Sequence, residues 1–389
     1  MKETTKKTIF TIIRVILGVV FVLSGFVKSV DPRGVGYKVA EYFNIVGFKE
    51  PSWINLSLIA GGCLAIFEFV LGVHLLLGIR RRFTSYVTLL LCVAFLAVSI
   101  LTAIFHPIPD CGCFGDFYKL SQTETVLKNI LLSAFSVFLV LKPRLSVSFV
   151  AVGWHWFVSL YSWVYITLLM LGSMYYLPPM DFRPYKISAN LRESVFPSDE
   201  KNLEKDNFIP LDLYISDSLR NDMTAEILSD KGKTMLVVCP LLREADIAAT
   251  EQINTIADWC YDNNIKIYCL TSSSVEETQE WSKMNDIQYP ILFGDLSTLR
   301  TIIRSNPGLV LLSDGVIVNK WSCHNLPRVD SRKFKPSQLF ADPANKYARL
   351  LMIVSWYIFP MLLIIFLSHS ITALRKHIYK PKKSLDVKL

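Results

Sequence analysis

The stretch His106-Pro107-Ile108-Pro109-Asp110-Cys111-Gly112-Cys113-Phe114-Gly115-Asp116 holds two thiols separated by one residue. A disulfide requires Cα atoms roughly 4.4–6.8 Å apart. Residues i and i+2 reach that only in a turn, and Gly112 supplies the backbone freedom for one. So small a ring is strained, and strained, exposed disulfides are the reducible kind. The pattern therefore points to thiol–disulfide exchange with Cys111 and Cys113 as the reacting pair. Lys28 or His106 would favour a thiolate at one of them. Asp110 and Asp116 would instead raise a thiol pKa or carry protons. Two other readings stay open: a purely structural disulfide, and a metal held by both thiolates with His106 and Asp110. The spacing matches no standard zinc pattern, so no metal is expected.

The elements that position this loop are apolar. The chain has 389 residues, 52% of them hydrophobic, with a mean hydropathy of +0.37. Charged residues are 19%, below the roughly 25% of a soluble domain. Six runs are long enough to cross a bilayer, near 8–29, 55–78, 84–105, 124–141, 149–177 and 348–370. The cysteine loop lies between the third and the fourth. The net charge of +8 does not indicate nucleic acid, because the basic residues bunch beside the apolar runs. Lys2, Lys6 and Lys7, then Arg80, Arg81 and Arg82, then Lys142 and Arg144, then Arg375 and the tail beyond it, all fall on one side if the runs alternate. The positive-inside rule places that side, with both termini, in the cytoplasm. The loop and residues 178–347 are then extracytoplasmic, and the expected location is a bacterial cytoplasmic (inner) membrane. A disulfide is permitted on that outer face.

Two charges lie inside the runs, Arg14 and Glu68. Similar depths counted from the span ends predict that they pair. Intramembrane charges mark functional sites, here a quinone headgroup or proton path, or else form a structural ion pair. Lys28 can snorkel to the interface, and Asp31-Pro32 ends the first span. The loop 33–54, with Tyr37, Tyr42, Phe43 and Trp53, reads as a short amphipathic segment or an aromatic belt. Cys63 and Cys92 suit packing. Small residues in spans two and three suit packing within the chain or a homo-oligomer.

The run Ser24-Gly25-Phe26-Val27-Lys28-Ser29-Val30-Asp31-Pro32, the acidic residue of span two and Pro109-Asp110-Cys111-Gly112-Cys113-Phe114-Gly115-Asp116 together resemble the DoxX/MauE-like group of four-helix membrane proteins. The resemblance covers roughly residues 8–145. That group is similar to the DsbB and vitamin K epoxide reductase bundles, with four helices and an outward-facing redox pair. It implies electron transfer between protein thiols and a quinone, or help with disulfide formation in a partner. Carried onto this chain, the redox pair is Cys111 and Cys113. DsbB-like enzymes use a second cysteine pair, and residues 8–145 show no clear one.

Beyond the fifth span, residues 178–206 read as a Pro-rich, charged linker. Residues 207–325 then follow an α/β pattern: strands at Thr234–Cys239 and Ile265–Leu270, helices at 244–262 and 275–285, a strand after Pro307, and an Asp314-Gly315 hairpin turn. This order resembles the thioredoxin-like fold of TlpA-type domains, which implies a cis-proline at Pro307. The Cys-x-x-Cys of that fold belongs at 240–245, where this chain has Pro-Leu-Leu-Arg-Glu-Ala. Cys239, Cys260, Cys269 and Cys323 remain, and spacing does not pair them. The expected organisation is a four-span bundle (1–145), a fifth span (146–177), a linker (178–206), a redox-inactive thioredoxin-like domain (207–325), a second linker (326–347), a sixth span (348–370) and a basic tail (371–389). The fold class is thus an α-helical membrane bundle plus an extracytoplasmic α/β domain. Two functions are consistent with it. One is a membrane thiol–disulfide oxidoreductase exchanging electrons between a quinone and an extracytoplasmic protein. The other is a non-enzymatic scaffold or maturation factor whose outer domain binds a partner.

Overall fold

The structure is a computed structural model, described for residues 3–45, 47–48, 52–105, 112, 115–118, 120–142, 145, 147–197, 211–229, 231–329, 334–340 and 345–378. The chain divides into two compact units, residues 1–170 with 351–389, and residues 171–350.

The first unit is helical, with α1 (Glu3–Val30), α2 (Pro32–Ile45), α3 (Ser52–Leu77), α4 (Arg81–Phe105), α5 (Gln122–Leu141), α6 (His155–Tyr175) and, from the far end of the chain, α12 (Asn345–Ile378). All but α2 are long and apolar enough to span a membrane, matching the six expected runs. One core joins α1, α3, α4 and α5 through Phe10, Leu17, Phe21, Leu71, Leu75, Cys92, Leu132 and Leu139. A second joins α3 to α6 and α12 through Phe69, Val158, Ile166, Met361 and Ile364. Polar bonds reinforce it: Tyr165 Oη donates to Ile353 O at 2.9 Å, and Ser162 Oγ lies 2.8 Å from Tyr357 Oη.

Asp31-Pro32 ends α1 as expected, and the next segment, read as a short amphipathic stretch or an aromatic belt, begins with a helix. Asp31 Oδ1 accepts from Gly34 N at 3.0 Å, an N-cap on α2, and Pro32 takes the first helical position. α2 buries Val35 and Gly36 and lies along α3. The aromatics at its end cluster with the start of α3, with Phe48 and Trp53 centroids 4.6 Å apart.

The second unit is a five-stranded sheet in the order β3-β2-β1-β4-β5. β1 (Lys233–Val238), β2 (Lys266–Thr271) and β3 (Ile291–Phe293) are parallel, and β4 (Gly308–Ser313) and β5 (Val316–Ser322) run antiparallel to their neighbours. The two-residue side-chain period splits β1 between faces. Met235 and Val237 meet α9 (Ile247–Asp262) through Ile253, Ile256 and Cys260. Leu236 and Val238 meet the other layer, α7 (Leu191–Val195), α8 (Thr224–Ser229) and α11 (Leu296–Ile302), through Leu191, Ile227, Leu228, Leu299 and Ile302. The helix α10 (Val275–Met284) follows β2. β3 and α11 were not anticipated, because a three-residue strand carries too little periodicity to read.

Both expected linkers are partly built into this unit. Met180, Tyr185 and Leu191 are buried, Ser188 N donates to Ile317 O at 2.7 Å, and Asn190 bridges to Val316. Leu326 and Leu339 join the core beside α9. What holds the first segment is a buried charge cluster. Asp181 accepts from Arg183 Nε at 2.8 Å and from Lys320 Nζ at 3.0 Å. Arg183 Nη1 also donates to Thr301 O, and Lys320 Nζ to Ile302 O. Burial alone would raise the Asp181 pKa, but the charges of Lys320 and Arg183 outweigh it and hold the carboxyl at about 2.

Removing one member of such a cluster leaves uncompensated buried charge, typically about 3–5 kcal/mol. Asp181→Asn should therefore destabilise the second unit by that order, read as faster amide exchange in peptides spanning β4 and β5. The carboxyl is depressed, so its contribution is present above the ordinary carboxylate range. Wild-type stability should fall as pH drops from about 4 to about 2, and the variant should lack that dependence.

Candidate functional site

The packing of α1 against α3 decides where the intramembrane charges meet. The helices are antiparallel and close: a Cβ on Gly25 would lie 2.4 Å from Phe69 N and 2.6 Å from Ala65 O, so only glycine fits there. The same stacking sets Gly18 against Leu76. The part of α1 level with Glu68 is thus near Phe26, and Arg14 lies roughly 12 residues below it, or ~18 Å along the axis. That separation overturns the expected Arg14–Glu68 pair. Arg14 instead donates to Val147 O at 2.5 Å and sits 5.3 Å from the Phe149 ring centroid.

The partner of Glu68 is Lys28. Its Nζ lies 2.6 and 2.8 Å from the two carboxylate oxygens, and Ser24 Oγ donates to one of them at 2.7 Å. Glu68 is fully buried and Lys28 nearly so, so Lys28 does not reach out to the interface as its sequence position suggested. Phe95 of α4 stands over the ammonium at 5.6 Å, and Asn129 of α5 bonds the Phe95 carbonyl at 3.2 Å. Ser24, Phe95 and Asn129 were missed because each is ordinary alone. The spacing of Ser24 and Lys28, four residues apart on one helix face, was the available signal.

Two described glycines of the cysteine loop lie at the same end of the bundle. Cys111, Cys113, His106 and Asp110 lie outside the described residues, but two glycines of the loop do not. Gly112 and Gly115 have φ of +64° and +52°, and Gly115 N donates to Gly112 O at 3.1 Å. A Cβ on Gly112 would lie 3.4 Å from Lys38 Cγ of α2, and one on Gly115 would lie 3.8 Å from Val27 Cγ1 of α1. Val27 adjoins Lys28 in sequence, so Gly115 lies beside the helix turn that carries the ion pair, while Gly112 lies against α2. Asp116 is half-buried in the same loop. Asp31 is committed to capping α2.

In the α/β unit the Asn306–Pro307 peptide is cis. Cys239, Cys260 and Cys269 are buried free thiols. Burial pushes Cys260 and Cys269 up to about 12, and Cys239, whose Sγ contacts Asn306 Oδ1 at 3.0 Å, is also raised. Such thiols stay protonated and unreactive. Cys323 alone among the described cysteines of this unit is part-exposed.

Residues 6–142 match the family model described as Methylamine utilisation protein MauE. This MauE-like segment holds α1 to α5, the Lys28–Glu68 pair and the cysteine loop, and with six span-length helices it marks the chain as a membrane protein. No curated protein and no solved structure matches the chain.

Loss of either charge should be severe and their joint loss mild. Glu68→Ala or Lys28→Met alone should destabilise the bundle by about 3–5 kcal/mol, whereas Lys28→Met with Glu68→Gln should recover most of it. Thermal unfolding in detergent checks this. Equal losses in the double variant and the singles would mean that the pair is not the unit of stability.

Proposed function

We propose that this chain is a membrane thiol–disulfide oxidoreductase working through Cys111 and Cys113. The observation that carries the reading is the left-handed backbone of Gly112 and Gly115, with Gly112 against Lys38 of α2 and Gly115 against Val27 of α1, the neighbour of Lys28. In the oxidative direction the two thiols lose two electrons and two protons to become a disulfide. A quinone, as acceptor, supplies the matching reduction to a quinol. The disulfide then exchanges with a dithiol of an extracytoplasmic protein, which leaves oxidised while Cys111 and Cys113 return to thiols. The buried Lys28–Glu68 pair places charge inside the bundle, in α1 and α3, near this end. The positive-inside pattern supports an extracytoplasmic loop and α/β unit. The strand order, with β4 alone running against the other four strands, supports the thioredoxin-like reading of that unit, with a role in docking the protein partner.

A second reading has its own support. The segment 240–245 holds no cysteine, and Cys239, Cys260 and Cys269 are buried, which favours a non-enzymatic maturation factor. The description of the matched family ties it to methylamine utilisation. In that case the Cys-Gly-Cys loop is structural.

Trapping with a mass-shifting alkylating reagent separates the two. The oxidoreductase reading expects Cys111 and Cys113 to move between dithiol and disulfide when a quinone reductant is added to membranes, and expects Cys111→Ser or Cys113→Ser to abolish partner oxidation. A pair that stays fully oxidised under all conditions, with function intact in the double serine variant, would establish the scaffold reading.

A further inference from the structure

A second cluster of donors lies on the α/β unit, at one end of the sheet. Asp246, Cys323 and His324 bring one carboxylate oxygen, one sulfur and one ring nitrogen within 4.8 Å of one another. Two separate pieces of chain supply the donors. Asp246 caps α9, accepting from Ala249 N at 3.2 Å through Oδ1, which leaves its other oxygen for a ligand. Its own N–H donates to Asn306 O at 3.2 Å, tying the cap to the segment before Pro307. Cys323 follows β5, and its N–H donates to Ser305 Oγ at 2.9 Å. Ser322 and Asn325 close a turn around Cys323 and His324, with Ser322 N donating to Asn325 Oδ1 at 2.8 Å. The His324 ring lies against Tyr175, centroids 3.9 Å apart, and turns Nδ1 to 3.2 Å from Cys323 Sγ. The donors are thus held by backbone bonds and a ring contact, and two of them also touch each other.

We propose that Asp246, Cys323 and His324 form a binding site for a zinc-class divalent cation, with water in the fourth position. Zinc–ligand bonds of about 2.0–2.3 Å place donors of a tetrahedral site roughly 3.3–3.7 Å apart. The 3.2 Å between Cys323 Sγ and His324 Nδ1, and the 4.8 Å within which all three donors fall, bracket that range. One sulfur, one imidazole and one carboxylate are the mixed set that a borderline ion accepts, while magnesium or calcium would require oxygen donors. The three donor atoms converge from a helix cap and a turn on one point, as a shared cation requires. Asp246 and His324 are exposed and Cys323 part-exposed, so the ion has access from solvent.

The test uses the full-length protein in detergent with Cys111 and Cys113 changed to Ser, so that the loop thiols contribute no signal and the outcome is independent of the proposed redox function. Cobalt(II) titration should produce a thiolate-to-metal charge-transfer band saturating at one ion per chain, displaced by zinc. Cys323→Ser should remove the band, and His324→Ala or Asp246→Asn, which keeps the cap, should weaken binding by at least about tenfold. Without any further variant, zinc should protect Cys323 from maleimide, read on its peptide by mass spectrometry. Absence of a band in the parent, a band unchanged by Cys323→Ser, or alkylation of Cys323 at the same rate with and without zinc would each overturn the site.

Discussion

The helical unit depends on one contact between opposite charges in an apolar interior. A carboxylate as buried as Glu68 is unsustainable alone, because burial of an unpaired ion costs several kcal/mol even after relaxation. Lys28 offsets that cost only if the two helices come close enough for bonds of 2.6 and 2.8 Å, and the approach of α1 to α3 at Gly25 makes this possible. Phe95 and Asn129 bring α4 and α5 to the same point, so all four span-length helices of the MauE-like segment converge on the pair.

The α/β unit solves a similar problem with a different outcome. Asp181, Arg183 and Lys320 are buried together, but they join a segment that looks like a linker to the last strand of a sheet. Charge there serves attachment. The residues between α6 and α7 are folded on to the sheet by it, and the first helical layer of the unit follows from their position.

The sequence was informative where signals were long or periodic. The six spans and the central strands were legible within a few residues because apolar runs of that length have few alternative fates. Depth was not legible. Counting from the ends of hydrophobic runs put Arg14 level with Glu68, whereas the helix register that decides the matter is set by glycines whose contacts no run length encodes. Asp31-Pro32 reads as a stop although the same dipeptide is a start, an N-cap followed by proline at the first helical position. Prolines and charges over 178–197 suggest a linker because pattern alone cannot report that Asp181 meets a lysine 139 positions later. The cluster of Asp246, Cys323 and His324 was equally invisible, since one ligand comes from a helix cap and two from a turn.

Gly25 carries one more implication. With its Cα resting against the backbone of Phe69 and Ala65, the α1–α3 interface behaves as an indexed joint. Sliding by one residue would drive Ser24 or Phe26 into space where no side-chain carbon fits. The height of the charge pair along the bundle is therefore quantised by the protein and not adjusted by the thickness of the surrounding lipid. Whatever docks at that end of the four helices meets Lys28 and Glu68 at a constant depth below the turn where Gly115 rests on Val27.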